Sequence, residues 1–96
     1  MFKRMESGIS AKSIGADYLS WVKDCAKKLH LKGAVFTKDD GSIKIIAEGE
    51  DEDLRELTEK LEVNNLLFTV ENFYVKWEDA KEEFKDFTIG YQKVYT

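Results

Sequence analysis

Hydrophobic side chains recur along this chain with two different periods, and the order of those periods constrains the fold more than any other feature. Over residues 16–29 the apolar positions have the spacing of one helix face, at Tyr18, Val22, Cys25 and Leu29. A second such stripe, at Leu54, Leu57 and Leu61, follows an acidic run that is typical of a helix N-terminus. Both segments are predicted to be helices that bury one face.

Strand-like segments fill the rest of the chain. Residues 33–37 and 42–48 are β-branched runs joined by the sequence KDDG, and Asp-Gly in so short a link predicts a hairpin. Two further strands are predicted within residues 68–78 and 82–91, where apolar side chains alternate. The alternating residues are Phe73, Val75 and Trp77 in the first segment, and Phe87, Ile89 and Tyr91 in the second.

The predicted order of elements is β-α-β-β-α-β-β, which is a split βαβ pattern. Two helices on one face of an antiparallel sheet form an α+β sandwich, with the other sheet face partly solvated. A chain of 96 residues suits one domain, residues 1–96, with a single core. Trp77 is expected to be partly exposed on the open sheet face, where a protein partner can dock.

Composition narrows the partners and the compartment. A net charge of −4 disfavours nucleic acid, because phosphate backbones are bound by basic surfaces. The segment MFKRMESGIS lacks the apolar run of a signal peptide, and no stretch has the length of a transmembrane helix. The single cysteine, Cys25, cannot form an internal disulfide, which favours a reducing compartment such as the cytoplasm. We expect no membrane association.

Isolated reactive side chains do not form a recognisable metal or thiol site. Cys25 and His30 stand singly, so no metal-ligand spacing or thiol triad is predicted, and no cofactor is expected. Cys25 is interpreted as a small core residue and His30 as a helix-end residue. The acidic residues 48–53 are interpreted as a solvated helix start rather than a cation site.

Two long segments of the chain closely resemble the second half of acylphosphatases. They are DGSIKIIAEGEDEDLRELTEKL and VENFYVKWEDAKEEFKDFTIGY, and upstream AKKLHLKGAV resembles the end of the family's first helix and the start of its second strand. The resemblance covers roughly residues 16–91. It implies a ferredoxin-like sandwich in which the fifth, closing strand lies at a sheet edge, with Phe84, Phe87, Ile89 and Tyr91 packing or capping it. It also implies hydrolysis of a carboxylic–phosphoric anhydride without metal or cofactor.

The resemblance further implies a site, at which this chain departs from the family. A glycine-rich loop before the first helix wraps phosphate with backbone N–H groups, an arginine in the first helical turn holds the phosphate, and an asparagine on the second strand orients water. Counting from Gly33, Leu19 takes the position of the arginine and Thr37 that of the asparagine. Leucine cannot bind phosphate, and the threonine hydroxyl has a shorter reach than an amide.

The loop itself, SGISAKSIGA at residues 7–16, is longer than the family's loop and has a different sequence. Its candidates for anion binding are Ser10, Lys12, Ser13 and Gly15. Lys12 is a point charge that can take over from the arginine fork only in part. Lys3, Arg4 and Lys12 are expected to form a weak basic patch near this loop.

Two functional hypotheses follow, from different classes. The first is an acylphosphatase-like domain with impaired catalysis that binds a small anion or a protein through the loop and the open sheet face. The alternative is a divergent, active acylphosphatase that uses Lys12 and Thr37 to hydrolyse acyl phosphates. Loss of one pre-organised donor typically costs about 3–4 kcal/mol of transition-state stabilisation, which favours the first hypothesis. An RNA-binding sheet of the same topology is disfavoured by the acidic charge.

Overall fold

The computed structural model describes residues 1–11, 16–65 and 70–90. Its elements, in chain order, are β1 (Phe2–Ala11), α1 (Ala16–Lys28), β2 (Lys32–Thr37), β3 (Ile43–Glu50), α2 (Asp51–Asn65), β4 (Val70–Asp79) and β5 (Phe87–Ile89). This order confirms the predicted β-α-β-β-α-β-β arrangement. The hairpin between β2 and β3 is also confirmed, and Gly41 in its turn has a φ of 88°, a conformation that favours glycine.

The five strands form one sheet in the order β4-β1-β3-β2-β5. The prediction of a wholly antiparallel sheet is wrong for one pair, because β5 runs parallel to β2. β4 and β5 lie at opposite edges of the sheet, so the chain has to cross the whole sheet between them. It crosses at the end of the sheet where β2 begins, and β5 therefore runs in the same direction as β2. The α+β sandwich stands, and its sheet is mixed.

The core lies between the helices and one sheet face. α1 packs on β2 and β5, while α2 packs on β3 and β1. The predicted stripe of α2 is confirmed, since its three leucines are fully buried. On α1 the buried residues are Tyr18, Val22 and Ala26. Cys25 and Leu29 of the predicted stripe are partly buried and pack against the core, and Ala26 is the fully buried residue beside them.

Two backbone features fix the chain between α1 and β2. His30 has a φ of 58°, and the next residue, Leu31, donates its N–H to the Ala26 carbonyl over 2.9 Å, which closes the helix with a left-handed residue. His30 is therefore the helix-end residue that the sequence predicted. Gly33 has a φ of 148°, and a Cβ there would overlap the carbonyl oxygen of Ile46, so only glycine fits.

The segment between β4 and β5, residues 80–86, crosses the open face, the face without helices. The crossing spans about 19 Å at ordinary strand spacing, so the segment has to be largely extended. Its anchor is the buried carboxylate of Glu48, which accepts the N–H of Lys81 over 2.7 Å and that of Glu82 over 2.9 Å. Beyond the crossing, Gly33 donates its N–H to the Asp86 carbonyl over 3.0 Å.

Arg4 completes this anchor on the neighbouring strand. Its Nη1 lies 3.3 Å from Glu48 Oε2 and 2.9 Å from Glu83 Oε1, and its Nε lies 3.4 Å from Glu78 Oε1. The Phe84 ring lies against the guanidinium, 5.9 Å from ring centroid to Cζ. We call Arg4, Glu48, Glu78, Glu83 and Phe84 the crossing cluster. Both Arg4 and Glu48 are buried, so each compensates the other's desolvation.

Side-chain alternation assigns the aromatic residues to faces. Trp77 pairs with Met5 and Phe73 with Ile9, and both partners belong to the core. The two aromatic residues therefore lie on the helix face, and the expectation that Trp77 lies on the open face is wrong. Phe87 is fully buried on the helix face, as a closing strand requires, whereas Tyr91 lies outside the described residues.

The crossing cluster generates a stability prediction. Glu48→Gln keeps the size of the side chain but removes its charge and leaves one of the two N–H groups of the crossing without a carboxylate oxygen. We expect the free energy of unfolding to fall by about 2–3 kcal/mol, measured by urea denaturation. Glu50→Gln is the control: Glu50 is exposed and pairs with the N-terminal amine, so the expected change is within about 0.5 kcal/mol. Equal losses in the two variants would contradict the anchoring role of Glu48.

Candidate functional site

The first turn of α1 is the place where the resemblance puts the phosphate-binding arginine. This turn, residues 16–20, is fully described, and none of its side chains is basic. Tyr18 is buried in the core, and Leu19 is partly buried and packs against the same core. Asp17 is exposed and adds a negative charge at the helix N-terminus. The turn is therefore packed as apolar scaffold, with an acidic group at its solvent side.

Thr37, at the asparagine position, is the last residue of β2. It pairs with Ile43, whose side chain is in the core, so alternation places Thr37 on the helix face at the sheet end. The side chain is exposed. The following turn is held by the Lys38 N–H, which donates to the Ser42 carbonyl over 2.7 Å. The position of Thr37 is thus fixed by a closed hairpin.

Asp40 stabilises that hairpin from within the turn. Its carboxylate accepts the backbone N–H of Ser42 over 2.9 Å and also the Ser42 hydroxyl. These hydrogen bonds hold the pKa of Asp40 below its usual range. The carboxylate is therefore charged at neutral pH, a few residues from Thr37.

Of the predicted loop candidates, the structure describes Ser10. β1 continues to Ala11, so the loop starts later than the sequence suggested. The reason is that Ser7 and Ile9 are buried in alternation while Gly8 lies beneath the Tyr74 ring, which extends the strand past the small residues. Lys12, Ser13 and Gly15 lie outside the described residues, and their role in binding an anion stays a prediction.

Ser10 lines a cavity of about 230 Å³ on the open face. We call it the open-face cavity, and it is lined by Gly8, Ile9, Ser10, Lys38, Asp40, Ser42, Ile43, Lys44, Asn72 and Tyr74. Its lining carries charges of both signs, from Asp40 and from two lysines. One of these lysines, Lys44, also forms an ion pair with Glu6 over 3.3 Å. Ser10 and Thr37 belong to the same end of the sheet, but the structure places them on opposite faces.

The expected basic patch of Lys3, Arg4 and Lys12 near the loop is wrong in its described members. Arg4 belongs to the crossing cluster, at the opposite end of β1 from the loop. Lys3 lies at that same end, beside Asp51 and Trp77. The error arises because residues close in sequence separate by about 3.3 Å per residue along an extended strand.

A larger groove of about 690 Å³ lies between the two helices. Trp21 and Cys25 of α1 face Glu56 and Lys60 of α2 across it. Burial raises the pKa of the Cys25 thiol, against the opposing effect of the Lys60 and Lys28 charges. Within residues 1–11, 16–65 and 70–90, no group of His, Cys, Asp and Glu side chains is arranged to hold a metal ion. None of the helices described in this chain is long and apolar enough to cross a membrane.

Comparison with known proteins now decides the family. A model of the acylphosphatase family matches residues 15–89. An acylphosphatase from Helicobacter hepaticus is 35% identical over 94 residues, which cover 93% of this chain and 98% of the relative. The chain belongs to the acylphosphatase family.

Solved acylphosphatases have the same fold. The structure from Bacillus subtilis superposes with a TM-score of 0.79 at 27% identity, covering 95% of this chain and 100% of that chain. The structure from Coxiella burnetii gives a TM-score of 0.75 at 25% identity, with 93% of each chain covered. The predicted family and ferredoxin-like fold are thereby confirmed for this acylphosphatase family member.

Sequence reasoning missed one structural element of the scaffold, the crossing cluster. The available signal was a glutamate inside the strand IKIIAEGE, where Glu48 follows a run of apolar residues. A charged residue in such a strand is seldom buried without a partner. The partner, Arg4, is remote in sequence and was assigned to the loop instead.

The half-buried thiol gives a prediction on pH dependence. Because burial raises the Cys25 pKa, the native thiolate forms only above the value of about 8.5 of an unfolded cysteine. We expect the alkylation rate with iodoacetamide to reach its midpoint at a higher pH in the native chain than in urea. The unfolded chain binds fewer protons in this interval, so the contribution of Cys25 to stability falls as pH rises above about 8.5. Coincident midpoints would contradict this.

Proposed function

We propose that this member of the acylphosphatase family has impaired hydrolysis of acyl phosphates and acts as a module that binds a small anion or a protein. The first turn of α1 carries this proposal. Leu19 packs against the core there, and no side chain of residues 16–20 is basic. A charged donor at this point would stabilise the developing charge of the transferred phosphoryl group, and an alkyl side chain cannot.

Thr37 adds to the same conclusion. Its exposed hydroxyl lies at the end of β2 on the helix face, and it has one donor on a short side chain. Loss of both the phosphate ligand and the water-orienting amide removes most of the positioning on which a metal-free hydrolysis depends. We further propose that the chain works in the cytoplasm, in keeping with its single half-buried cysteine.

A divergent, active acylphosphatase is the second candidate. The observation in its favour is that relatives named acylphosphatase align with nearly the whole chain, at up to 35% identity among those compared. In this case Lys12 would supply the positive charge and Thr37 would orient water. The two candidates make opposite predictions for the same measurement.

The experiment compares hydrolysis of benzoyl phosphate by three proteins: the wild type, the double variant Leu19→Arg with Thr37→Asn, and Lys12→Ala. We expect negligible wild-type turnover and a gain of about 10²-fold or more in the double variant, because the two donors return to the scaffold. Wild-type turnover that Lys12→Ala abolishes would overturn the proposal in favour of the active enzyme. Lys28→Ala, at the other end of α1, is the matched control.

Anion binding without turnover has its own test, through Asp17. The N-terminus of a helix attracts anions, and a carboxylate in the first turn opposes them. We expect Asp17→Asn to tighten phosphate binding by about twofold to fivefold, followed by amide shifts of residues 16–18 during phosphate titration. Asp24→Asn, an exposed aspartate farther along α1, should change nothing. The absence of phosphate-dependent shifts in both variants and in the wild type would leave only the protein-binding form of the proposal.

A further inference from the structure

β4 is a long strand at one edge of the sheet. It spans Val70–Asp79, and on its inner side it pairs with β1. Among the described residues no strand pairs with its outer side. The opposite edge is different, because β5 is a strand of three residues. The pairing of β4 with β1 is regular from Asn72 to Asp79 and shifts by one residue at Glu71. A long edge with unpaired backbone groups is a template for a further strand.

The side chains of β4 are also incompletely covered. α2 packs on β3 and β1, so the helix-face residues of β4 extend beyond it. Phe73 and Val75 are only partly buried, and Trp77 is 46% exposed. On the open face, Tyr74 is 45% exposed. The edge thus exposes apolar and aromatic surface on both faces of the sheet.

We propose that β4 pairs antiparallel with β4 of a second copy of this chain, around a two-fold axis at Val75. The two sheets then join into a continuous ten-stranded sheet with the helices of both copies on the same face. This surface is independent of the catalytic proposal, since it involves neither the β1–α1 loop nor Thr37.

The sequence of β4 is self-complementary in this register. With Val75 opposite its own copy, Phe73 lies opposite Trp77 on the helix face, and the symmetry repeats this aromatic pair. On the open face Tyr74 lies opposite Lys76, also twice. Aromatic pairs and contacts between a cation and a ring are among the favourable cross-strand combinations. A second copy therefore covers the exposed apolar surface on both faces.

Neighbouring registers are worse. An axis at Lys76 places two lysines opposite each other and Phe73 opposite Asp79. An axis at Tyr74 places Trp77 opposite Glu71. A two-fold axis that passes between two residues would place an odd-numbered residue opposite an even-numbered one. Those two side chains project from different faces of the sheet, so such registers are excluded.

The Val75 register has one unfavourable contact, which provides a sharp test. At both ends of the paired segment Glu71, which lies at the register shift of β4, comes near Asp79 of the other copy, and like charges close together destabilise a pair of strands. Each chain also carries a net charge of −4. We therefore expect a weak dimer that salt strengthens by screening.

Sedimentation velocity of the full chain, from about 10 μM to about 1 mM, measures the association. We expect the wild type to shift from monomer to dimer over this range, and the shift to occur at lower concentration in added salt. Val75→Lys places two charges at the axis and should leave a monomer, whereas Val63→Lys, at an exposed position of α2, should dimerise as the wild type does. Circular dichroism confirms that each variant is folded.

The charge-reversal pair tests the register even if Val75→Lys unfolds the chain. Glu71→Lys turns both repulsive contacts with Asp79 into attractive ones and should lower the dissociation constant by about threefold to tenfold relative to Glu62→Lys. Glu62 is exposed on α2, so its reversal changes net charge equally without touching β4. A monomer at all concentrations and salts would overturn the proposal, and so would equal effects of the two reversals.

Discussion

The buried pair of Arg4 and Glu48 is the interaction on which the topology of this chain depends. The chain leaves β4 at one edge and begins β5 at the other, so residues 80–86 have to be held against the open face. Glu48 holds them through two backbone N–H groups, and Arg4 holds them through Glu83 and Phe84. The anchor thus guides the chain to the edge where β5 pairs with β2 and Phe87 is buried beneath α1. Two buried charges that would be costly alone become useful because several partners converge on them.

The anchor and the candidate site occupy opposite ends of the sheet. Arg4 lies near the start of β1, whereas the loop to α1 follows the end of β1, and Thr37 ends β2 at that same side. Contacts that hold the fold together are therefore separate from most of the residues that would bind phosphate. A scaffold of this kind tolerates changes in the loop, in Thr37 or in the hairpin turn without losing its topology. The family fold can therefore be retained independently of which residues the loop and the end of β2 carry.

The features that could be predicted from the sequence depend on contacts between residues close in the chain, whereas the features that were missed depend on contacts between residues far apart. The apolar faces of α1 and α2, the Asp-Gly hairpin and the helix end at His30 were all predictable. Each depends on residues that are neighbours in sequence, and hydrophobic periodicity and turn residues reveal such local structure. The parallel pairing of β5 and the partner of Glu48 depend on residues far apart in the chain. The small residues around Ser10 predict a loop, whereas the structure has a strand there, in which Gly8 leaves room for the Tyr74 ring. Composition alone does not distinguish a flexible loop from a strand under a ring.

Leu19 is the exception to the separation of scaffold and site, because the resemblance puts it at a site position whereas its side chain packs against the core. An arginine in the first helical turn adds a positive charge at the positive end of the helix dipole, which a bound anion would offset. Leu19 instead contributes apolar contact to the core beside Tyr18, so the position adds to stability with or without a ligand. Asp17 alters the electrostatics in the same direction, because a carboxylate satisfies the helix N-terminus that a phosphate would otherwise satisfy. Both residues stabilise the first turn of α1. Under the proposed loss of hydrolysis, this turn is held by its apolar contacts and by the carboxylate at the helix N-terminus, so its conformation does not depend on a bound anion.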